Sequence, residues 1–332
     1  MKAIRTHEVG GPETLTLDEI EVPTPGKGEV LVAVKACAIN YPDTLMIRDL
    51  YQFKPERPYS PGGEIAGIVE AVGEGVETFK VGDRVMAGMG NGGLREKAVV
   101  PANRMFPVPD GVPFEKAASL LMTYGTTIHG LKDRGHIKEG DVVLILGAAG
   151  GVGLSAVELA KAYGARVVAA VSSEAKGEVA RKAGADEVVI YPRGEMDKAA
   201  SKELAGAFKE ACGPTGANIV YDIVGGQYSE PALRAIAWEG RFLVVGFPAG
   251  IAKMPLNLTL LKSCDICGVF WGAFTAREPQ KFVAQVQELF DLMQAGKIDP
   301  LVSETFPLER AGDAIAKLEN REAVGKLVVT MD

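Results

Sequence analysis

The stretch with the most direct chemical meaning is Val142-Val143-Leu144-Ile145-Leu146-Gly147-Ala148-Ala149-Gly150-Gly151-Val152-Gly153. It reads as a buried strand that runs into a glycine turn and then opens a helix. A dinucleotide pyrophosphate needs that order. Backbone without Cβ atoms can approach the phosphates, and a helix N-terminus offers free N–H groups and the positive end of a dipole. The literal spacing is Ala-x-Gly-x-x-Gly, with Ala148 in place of the first glycine of the usual fingerprint. Spacing alone is a weak signal. The strand before it and the repeated strand–helix pattern after it are what support cofactor binding at Ala149, Gly150, Gly151 and Val152.

The end of the following strand chooses between the two nicotinamide cofactors. A chain that binds NAD places Asp or Glu there to accept both ribose hydroxyls, about 20 residues beyond the turn. Here Val171 is followed by Ser172 and Ser173, the first acid is Glu174, and a cation follows at Lys176. A small neutral side chain leaves room for a 2′-phosphate, which Lys176 can neutralise, so NADPH is the expected cofactor. Tyr191, ending the third strand, can flank the adenine ribose, with Arg193 close behind. The competing reading is that Lys176 and Arg193 are ordinary solvated charges at a helix start and in a loop.

Two kinds of domain must position these residues. Residues 1–122 are β-rich and interrupted by Pro23, Pro25, Gly28, Pro61-Gly62-Gly63, Gly73, Gly75 and Gly82-Asp83. Residues 29–36 alternate apolar and polar positions, and 65–72 and 84–87 are further short β-like runs, which suggests a barrel-like all-β unit. Beyond 123 strands at 142–146, 166–171, 187–191, 219–223 and 241–245 alternate with helices at 152–163, 174–183, 198–211 and 230–237. That alternation predicts a parallel sheet buried on both faces. Residues 266–271 read as an edge strand of the sheet. An amphipathic helix at 279–295 and a short strand at 325–330 follow. The expected domains are therefore 1–122, a coenzyme domain at 123–272, and a return of 273–332 to the first domain.

Composition excludes several partners. The 332 residues carry a formal net charge of −7, which offers no electrostatic footprint to nucleic acid or to an anionic membrane. The apolar runs are too short to span a bilayer, and the first residues lack the apolar core of a signal peptide. Four Cys form no disulfide framework, so a reducing cytoplasm is the expected setting. Cys264 and Cys267 lie three apart in a strand-like run, where they point to opposite faces, which argues against a redox pair or half a metal site. Cys37 and Cys212 read as small core residues, and His7, His129 and His136 are scattered.

Further segments occur in a telling order: Asn40-Tyr41-Pro42-Asp43, Pro61-Gly62-Gly63-Glu64, Val81-Gly82-Asp83-Arg84-Val85, the 148–153 turn and Gly325-Lys326. Asp222-Ile223-Val224-Gly225-Gly226, Ala237-Trp238-Glu239-Gly240-Arg241, Val245-Gly246-Phe247 and Gly268-Val269-Phe270-Trp271-Gly272 add to them. On these segments the chain resembles the medium-chain dehydrogenase/reductase superfamily over nearly its full length. The resembled branch is the zinc-free NADPH:quinone oxidoreductases that include zeta-crystallin. The resemblance implies an α/β protein with a GroES-like β-barrel catalytic domain and a doubly wound Rossmann coenzyme domain. The catalytic-zinc ligands of the related alcohol dehydrogenases fall here on Asn40, Gly63 and a position near Met122, and the four-Cys lobe that holds a structural zinc is missing. None of the three binds zinc as those ligands do, so no metal is expected. Without a Lewis acid to polarise an alkoxide, the expected chemistry is hydride delivery to a quinone or an α,β-unsaturated carbonyl.

The resemblance also assigns residues. Asn40 and Thr126 belong beside the nicotinamide, with Asp43 and Glu64 in the former metal pocket. Phe247, Phe270, Trp271 and Gly272 belong to segments whose backbone carries the carboxamide, and Lys326 can reach the cofactor. Tyr41 and Tyr51 would line the substrate site, and Tyr124 either its wall or the core. A phenol there could orient a carbonyl oxygen or donate a proton, which makes Tyr41, Tyr51 and Tyr124 the candidate catalytic residues. As plain sequence, Tyr51 could equally be a packing aromatic, residues 247 and 270–272 sheet core, and Lys326 an exposed strand charge. Two other functions stay open: an enoyl-thioester (acyl-CoA) reductase with Arg48, Lys54, Arg57 and Arg95 as a basic entrance, or an NADPH-binding protein with little turnover. A small-molecule substrate and a homodimer paired through the 266–271 edge strand are the expected partners.

Overall fold

The computed structural model describes residues 1–331. The chain groups into two compact units, Met1–Met122 with the chain from Pro300 onward, and Thr123–Asp299.

The first unit is built on strand β3 (Glu29–Ala38), which follows a two-stranded ribbon of β1 (Lys2–Thr6) and β2 (Leu15–Glu19). After β3 come helix α1 (Tyr41–Met46), strands β4 (Glu64–Val72), β5 (Arg84–Gly88), β6 (Lys97–Pro101) and β7 (Met105–Pro107), and the short α2 (Phe114–Ala117). Val30, Val32 and Val34 put the apolar parity of β3 into a core shared with Ile65, Val69, Val85 and Leu94. Two register shifts against β4 bend β3 sharply. Gly67 permits the closest approach of the two strands, because a Cβ there would lie 2.1 Å from the Ala33 carbonyl oxygen.

The second unit opens in α3 (Leu121–Ile128) and a π-helical turn, His129–Arg134, then alternates as expected. Strands β8 (Val142–Leu146), β9 (Arg166–Val171), β10 (Glu187–Ile190), β11 (Ala217–Asp222), β12 (Ile236–Val244) and β13 (Asp265–Gly268) form a wholly parallel sheet in the order β10-β9-β8-β11-β12-β13. The order reverses between β8 and β11, and beyond the carboxyl ends of these strands lies the crevice where open α/β sheets bind ligands. Helices α4 (Gly151–Ala162), α5 (Glu174–Lys182), α6 (Lys198–Cys212), α7 (Ser229–Arg234), α8 (Asn257–Lys262), α9 (Trp271–Arg277) and α10 (Pro279–Gln294) complete the unit. Val143, Leu144, Ile145 and Leu146 are all fully buried, which explains an unbroken apolar run in a strand covered on both faces.

Three sequence expectations shift. The edge strand ends at Gly268, and Trp271 opens α9 instead of continuing the sheet. The helix expected at 230–237 stops at Arg234, and β12 begins at Ile236. The return to the first unit starts at Pro300, not 273. α10 stays with the second unit because its polar side chains are tied down there. Gln285 donates to Asp133 at 2.8 Å, Lys281 pairs with Asp133 at 2.8 Å, and Glu288 takes Lys132 at 2.6 Å and the Tyr163 hydroxyl at 2.9 Å.

The returning chain adds β14 (Val302–Pro307), α11 (Ala311–Glu319) and β15 (Lys326–Thr330). The sheet of the first unit then runs β14-β15-β3-β4-β5-β7, with β6 also paired to β3. All four cysteines are free and buried, and no helix among the described residues is long and apolar enough to cross a membrane.

Candidate functional site

In the second unit the turn after β8 is closed by contacts that only glycine permits. A Cβ on Gly153 would stand 2.1 Å from the Gly147 carbonyl oxygen, whereas the nearest atom to a Cβ on Gly150 is 3.7 Å away. Gly150 caps α4 in an extended conformation. Ala149, Gly150, Gly151 and Val152 therefore carry no large side chain over the helix start, whose first N–H groups lack intrahelical acceptors. That bare cradle fits a pyrophosphate.

At the end of β9, Ser173 caps α5 by accepting the Lys176 backbone N–H at 3.4 Å, and Arg193 donates to the Ser172 hydroxyl at 3.3 Å. Burial, and then the charge of Arg193, hold the Lys176 ammonium below its ordinary pKa. The Arg193 and Lys176 charges thus lie close enough to oppose each other beside the Ser172 hydroxyl that Arg193 holds, an arrangement that a phosphate dianion relieves. Tyr191 is buried, with its ring 4.7 Å from that of Tyr228, whose hydroxyl donates to the Pro192 carbonyl at 2.9 Å. This pair braces the loop that presents Arg193.

Asp222, at the end of β11, shapes the next loop. Its Oδ1 accepts N–H groups from Val224 at 2.9 Å and Gly225 at 2.8 Å, and its Oδ2 takes the Ser229 hydroxyl at 2.5 Å. Burial raises its carboxyl pKa. Gly225 and Gly226 follow with φ of 71° and 60°, and a Cβ on Gly225 would strike the Gly250 carbonyl oxygen at 2.6 Å. Thr126 is half-buried on α3, one residue before Thr127, whose hydroxyl meets Ser155 at 2.7 Å. The Phe247 and Phe270 side chains are exposed rather than sheet core, and Gly272 is exposed in the first turn of α9. Trp271 covers Gly125, packs edge-on against Phe282 at 5.6 Å, and keeps a buried indole N–H with no acceptor.

In the first unit, the positions of the resembled metal ligands do converge. A Cβ on Gly63 would lie 3.1 Å from Met122 Cε, and the Met122 N–H donates to Glu64 Oε2 at 2.9 Å. The Asn40 Nδ2 donates to Glu64 Oε1 at 2.9 Å and to the Ala38 carbonyl at 3.2 Å. The cation of the cluster is Lys326. Its Nζ donates to Asn40 Oδ1 at 2.7 Å, Ile39 O at 3.0 Å and Glu64 Oε1 at 3.2 Å. This corrects one expectation. Lys326 is not an exposed strand charge but a buried ammonium with three acceptors. The Asn40 amide is likewise committed on both its oxygen and its nitrogen. Asp43 completes the cluster, accepting N–H groups from Asn40 at 2.8 Å and Gly62 at 3.0 Å. Burial pushes its carboxyl up to about 6.

The three phenols separate. Tyr124 is 2% exposed and its hydroxyl donates to Glu158 at 2.6 Å, so it is a core residue of the second unit and not a proton donor to substrate. Tyr41, opening α1, and Tyr51 are half-buried, and burial raises the pKa of each. Both stay protonated at neutral pH, better suited to donating a hydrogen bond than to giving up the proton. Of the cations considered as a thioester entrance, Arg48 pairs with Glu319 at 2.6 Å, Arg57 pairs with Asp49 at 2.8 Å, and Arg95 donates to the Gly92 carbonyl.

Asp222 and Glu158 were not singled out by sequence as site residues. Their roles depend on which loop or helix lies opposite, and no local pattern records that. Lys326 did carry a signal. It heads the unbroken apolar run Leu327-Val328-Val329 in a strand buried on both faces, where a charge is expected to be enclosed.

A family profile described as "Alcohol dehydrogenase GroES-like domain" matches residues 26–110, and one described as "Zinc-binding dehydrogenase" matches residues 151–291. The chain is 34% identical to a "Quinone oxidoreductase-like protein 2 homolog" of Nematostella vectensis, over 99% of this chain and 88% of that protein. It is 32% identical to the quinone oxidoreductase of Rattus norvegicus, covering 100% of this chain and 98% of that one. The crystal structure of Escherichia coli quinone oxidoreductase complexed with NADPH superposes with a TM-score of 0.90 at 30% identity, covering 100% of both chains.

Proposed function

The chain belongs to the quinone oxidoreductase family of the medium-chain dehydrogenase/reductase superfamily, and from that premise we propose that it is a zinc-independent, NADPH-dependent reductase of quinones or α,β-unsaturated carbonyls. The observation that carries this reading is the Ser172 hydroxyl held by Arg193 at 3.3 Å, with the Lys176 ammonium near enough to feel the Arg193 charge, where an NAD-binding chain would hold a carboxylate. Bound NADPH supplies the hydride. The protein holds its phosphates, with Gly150, Gly151 and Val152 at the pyrophosphate and Lys176 and Arg193 at the 2′-phosphate. Tyr41 and Tyr51 orient the acceptor carbonyl by hydrogen bonding, and water delivers the proton.

The donor set at positions 40, 63 and 122 supports zinc independence. It consists of an amide already bonded at both ends, a residue with no side chain and a thioether, and the positive charge beside it is the Lys326 ammonium. The outer edge of β13 supports a homodimer formed by strand pairing, and four buried free thiols fit a reducing cytoplasm. With a net charge of −7, nucleic acid is no expected partner.

The test follows NADPH absorbance with purified protein against 1,4-benzoquinone, 9,10-phenanthrenequinone, an enone and crotonyl-CoA, with NADH alongside. Turnover of quinones or enones with NADPH preferred is the expected result. A preference for the thioester reassigns the protein to enoyl reduction, and silence with NADPH still bound makes it a cofactor-binding protein.

A further inference from the structure

The second unit has a cation-lined groove on the α6 side of the loop that carries Gly226. It measures about 920 Å³ and runs between α6 and α7, past Lys198, Lys202, Lys209, Arg234 and Lys253. A neighbouring cavity of about 560 Å³ shares Lys209 and Arg234 with it and adds Lys262. On α6, Lys198, Lys202 and Lys209 fall at offsets of four and seven residues, which puts them on one helical stripe. Among the described residues none of these three, nor Lys253, has an ion-pair partner. The carboxylates along the groove are otherwise engaged: Asp197 caps α6 by accepting the Ala200 N–H at 2.8 Å, and Glu230 holds Arg234 at 2.6 Å.

The sequence of α6 works against its own helix here. Lys198 and Lys202 are a like-charged pair four apart, which destabilises a helix. Gly206 sits inside a 15-residue helix, where Ala would be more stable, yet a Cβ there would meet nothing within 4 Å. No packing contact demands that glycine. It lines the groove between Lys202 and Lys209, at a point where the helix gains nothing from it.

We propose that this groove binds a phosphate-bearing small molecule at a site separate from the cofactor turn. The groove has the size of a small-ligand pocket, roughly 300–1,000 Å³. Lys202 and Lys209 stand about 10 Å apart along the helix axis, which suits a run of phosphoryl groups rather than a single one. Ile251, 83% exposed at the rim, and the half-buried Met196 give an organic portion an apolar surface. The acidity of the chain as a whole, at −7, favours such a compact anion over a polymeric one.

Calorimetric titration of inorganic tripolyphosphate tests this, into the free protein and into protein saturated with NADPH, at fixed ionic strength. Binding is expected in both states, to weaken about tenfold in Lys202→Ser/Lys209→Ser, and to be unchanged in Lys176→Ser. NADPH affinity should be the same in the Lys202/Lys209 double variant as in the parent. Absence of binding to the parent protein overturns the proposal, as does binding that ignores the double substitution. Binding that vanishes with NADPH or in Lys176→Ser also overturns it, because the anion then occupies the cofactor phosphate site.

Discussion

The Lys326 ammonium stands 3.2 Å from Glu64 Oε1 with both side chains almost wholly removed from solvent, and the Asn40 amide bridges them from the other side. A strand from the end of the chain thereby supplies the charge that neutralises a carboxylate near its beginning. Removing one partner leaves the other buried and uncompensated, a loss of about 3–5 kcal/mol. Lys326→Met is expected to lower the urea unfolding free energy by that amount, and Lys326→Met/Glu64→Gln to recover a good part of it. Equal losses in the single and double variants would show that the pair is not coupled.

Asp43 gives this region a pH signature. Its folded pKa of about 6 lies above the ordinary 3.8, so the fold favours the protonated acid. The stability this group contributes is full below the unfolded pKa and is lost as pH rises through about 6. The difference between parent and Asp43→Asn stabilities should therefore fall by about 2 kcal/mol from pH 4 to pH 7, most of what a two-unit pKa shift supplies. Denaturant melts of both proteins across that range measure it, and a flat difference would contradict the raised pKa.

Cofactor choice rests on Lys176 and on Arg193, which holds the Ser172 hydroxyl. Lys176→Ala and Arg193→Ala should each raise KM for NADPH about tenfold, as the loss of one charge-assisted phosphate contact does. KM for NADH should change little, since it has no 2′-phosphate. Parallel increases for both cofactors would place these residues elsewhere than at the 2′-phosphate.

The phenols should divide in kinetics as they do in space. Tyr124→Phe loses only its bond to Glu158, at a cost in stability of about 1 kcal/mol, with kcat unchanged. Tyr51→Phe and Tyr41→Phe should lower kcat. A fall in kcat for Tyr124→Phe with Tyr41→Phe and Tyr51→Phe unaffected would reverse the assignment.

Gly153→Ala tests the phosphate turn. Its Cβ would be driven to within 2.1 Å of the Gly147 carbonyl oxygen, so the turn must open. NADPH binding should be lost while the chain still folds, as read by calorimetry beside circular dichroism.

The parallel sheet and the glycine turn were legible in the sequence because each rests on local rules. A strand buried on both faces is apolar throughout, as Val142–Leu146 is, and a helix start that meets a phosphate needs glycine. Ser172 and Lys176 could be read as one phosphate site because both lie where one strand ends and the next helix starts. The fate of the polar side chains was decided by tertiary structure alone. Trp271 leaves the sheet to cover Gly125, α10 is held in the second unit by Asp133 and Glu288, and Tyr124 is spent on Glu158. Lys326 and Glu64 are separated by 262 residues, and no spacing rule connects them. Hydrophobic periodicity is written along the chain, whereas the partner of a buried charge is set by which strands become neighbours. β15 meets β3, and β3 meets β4, only in the folded sheet.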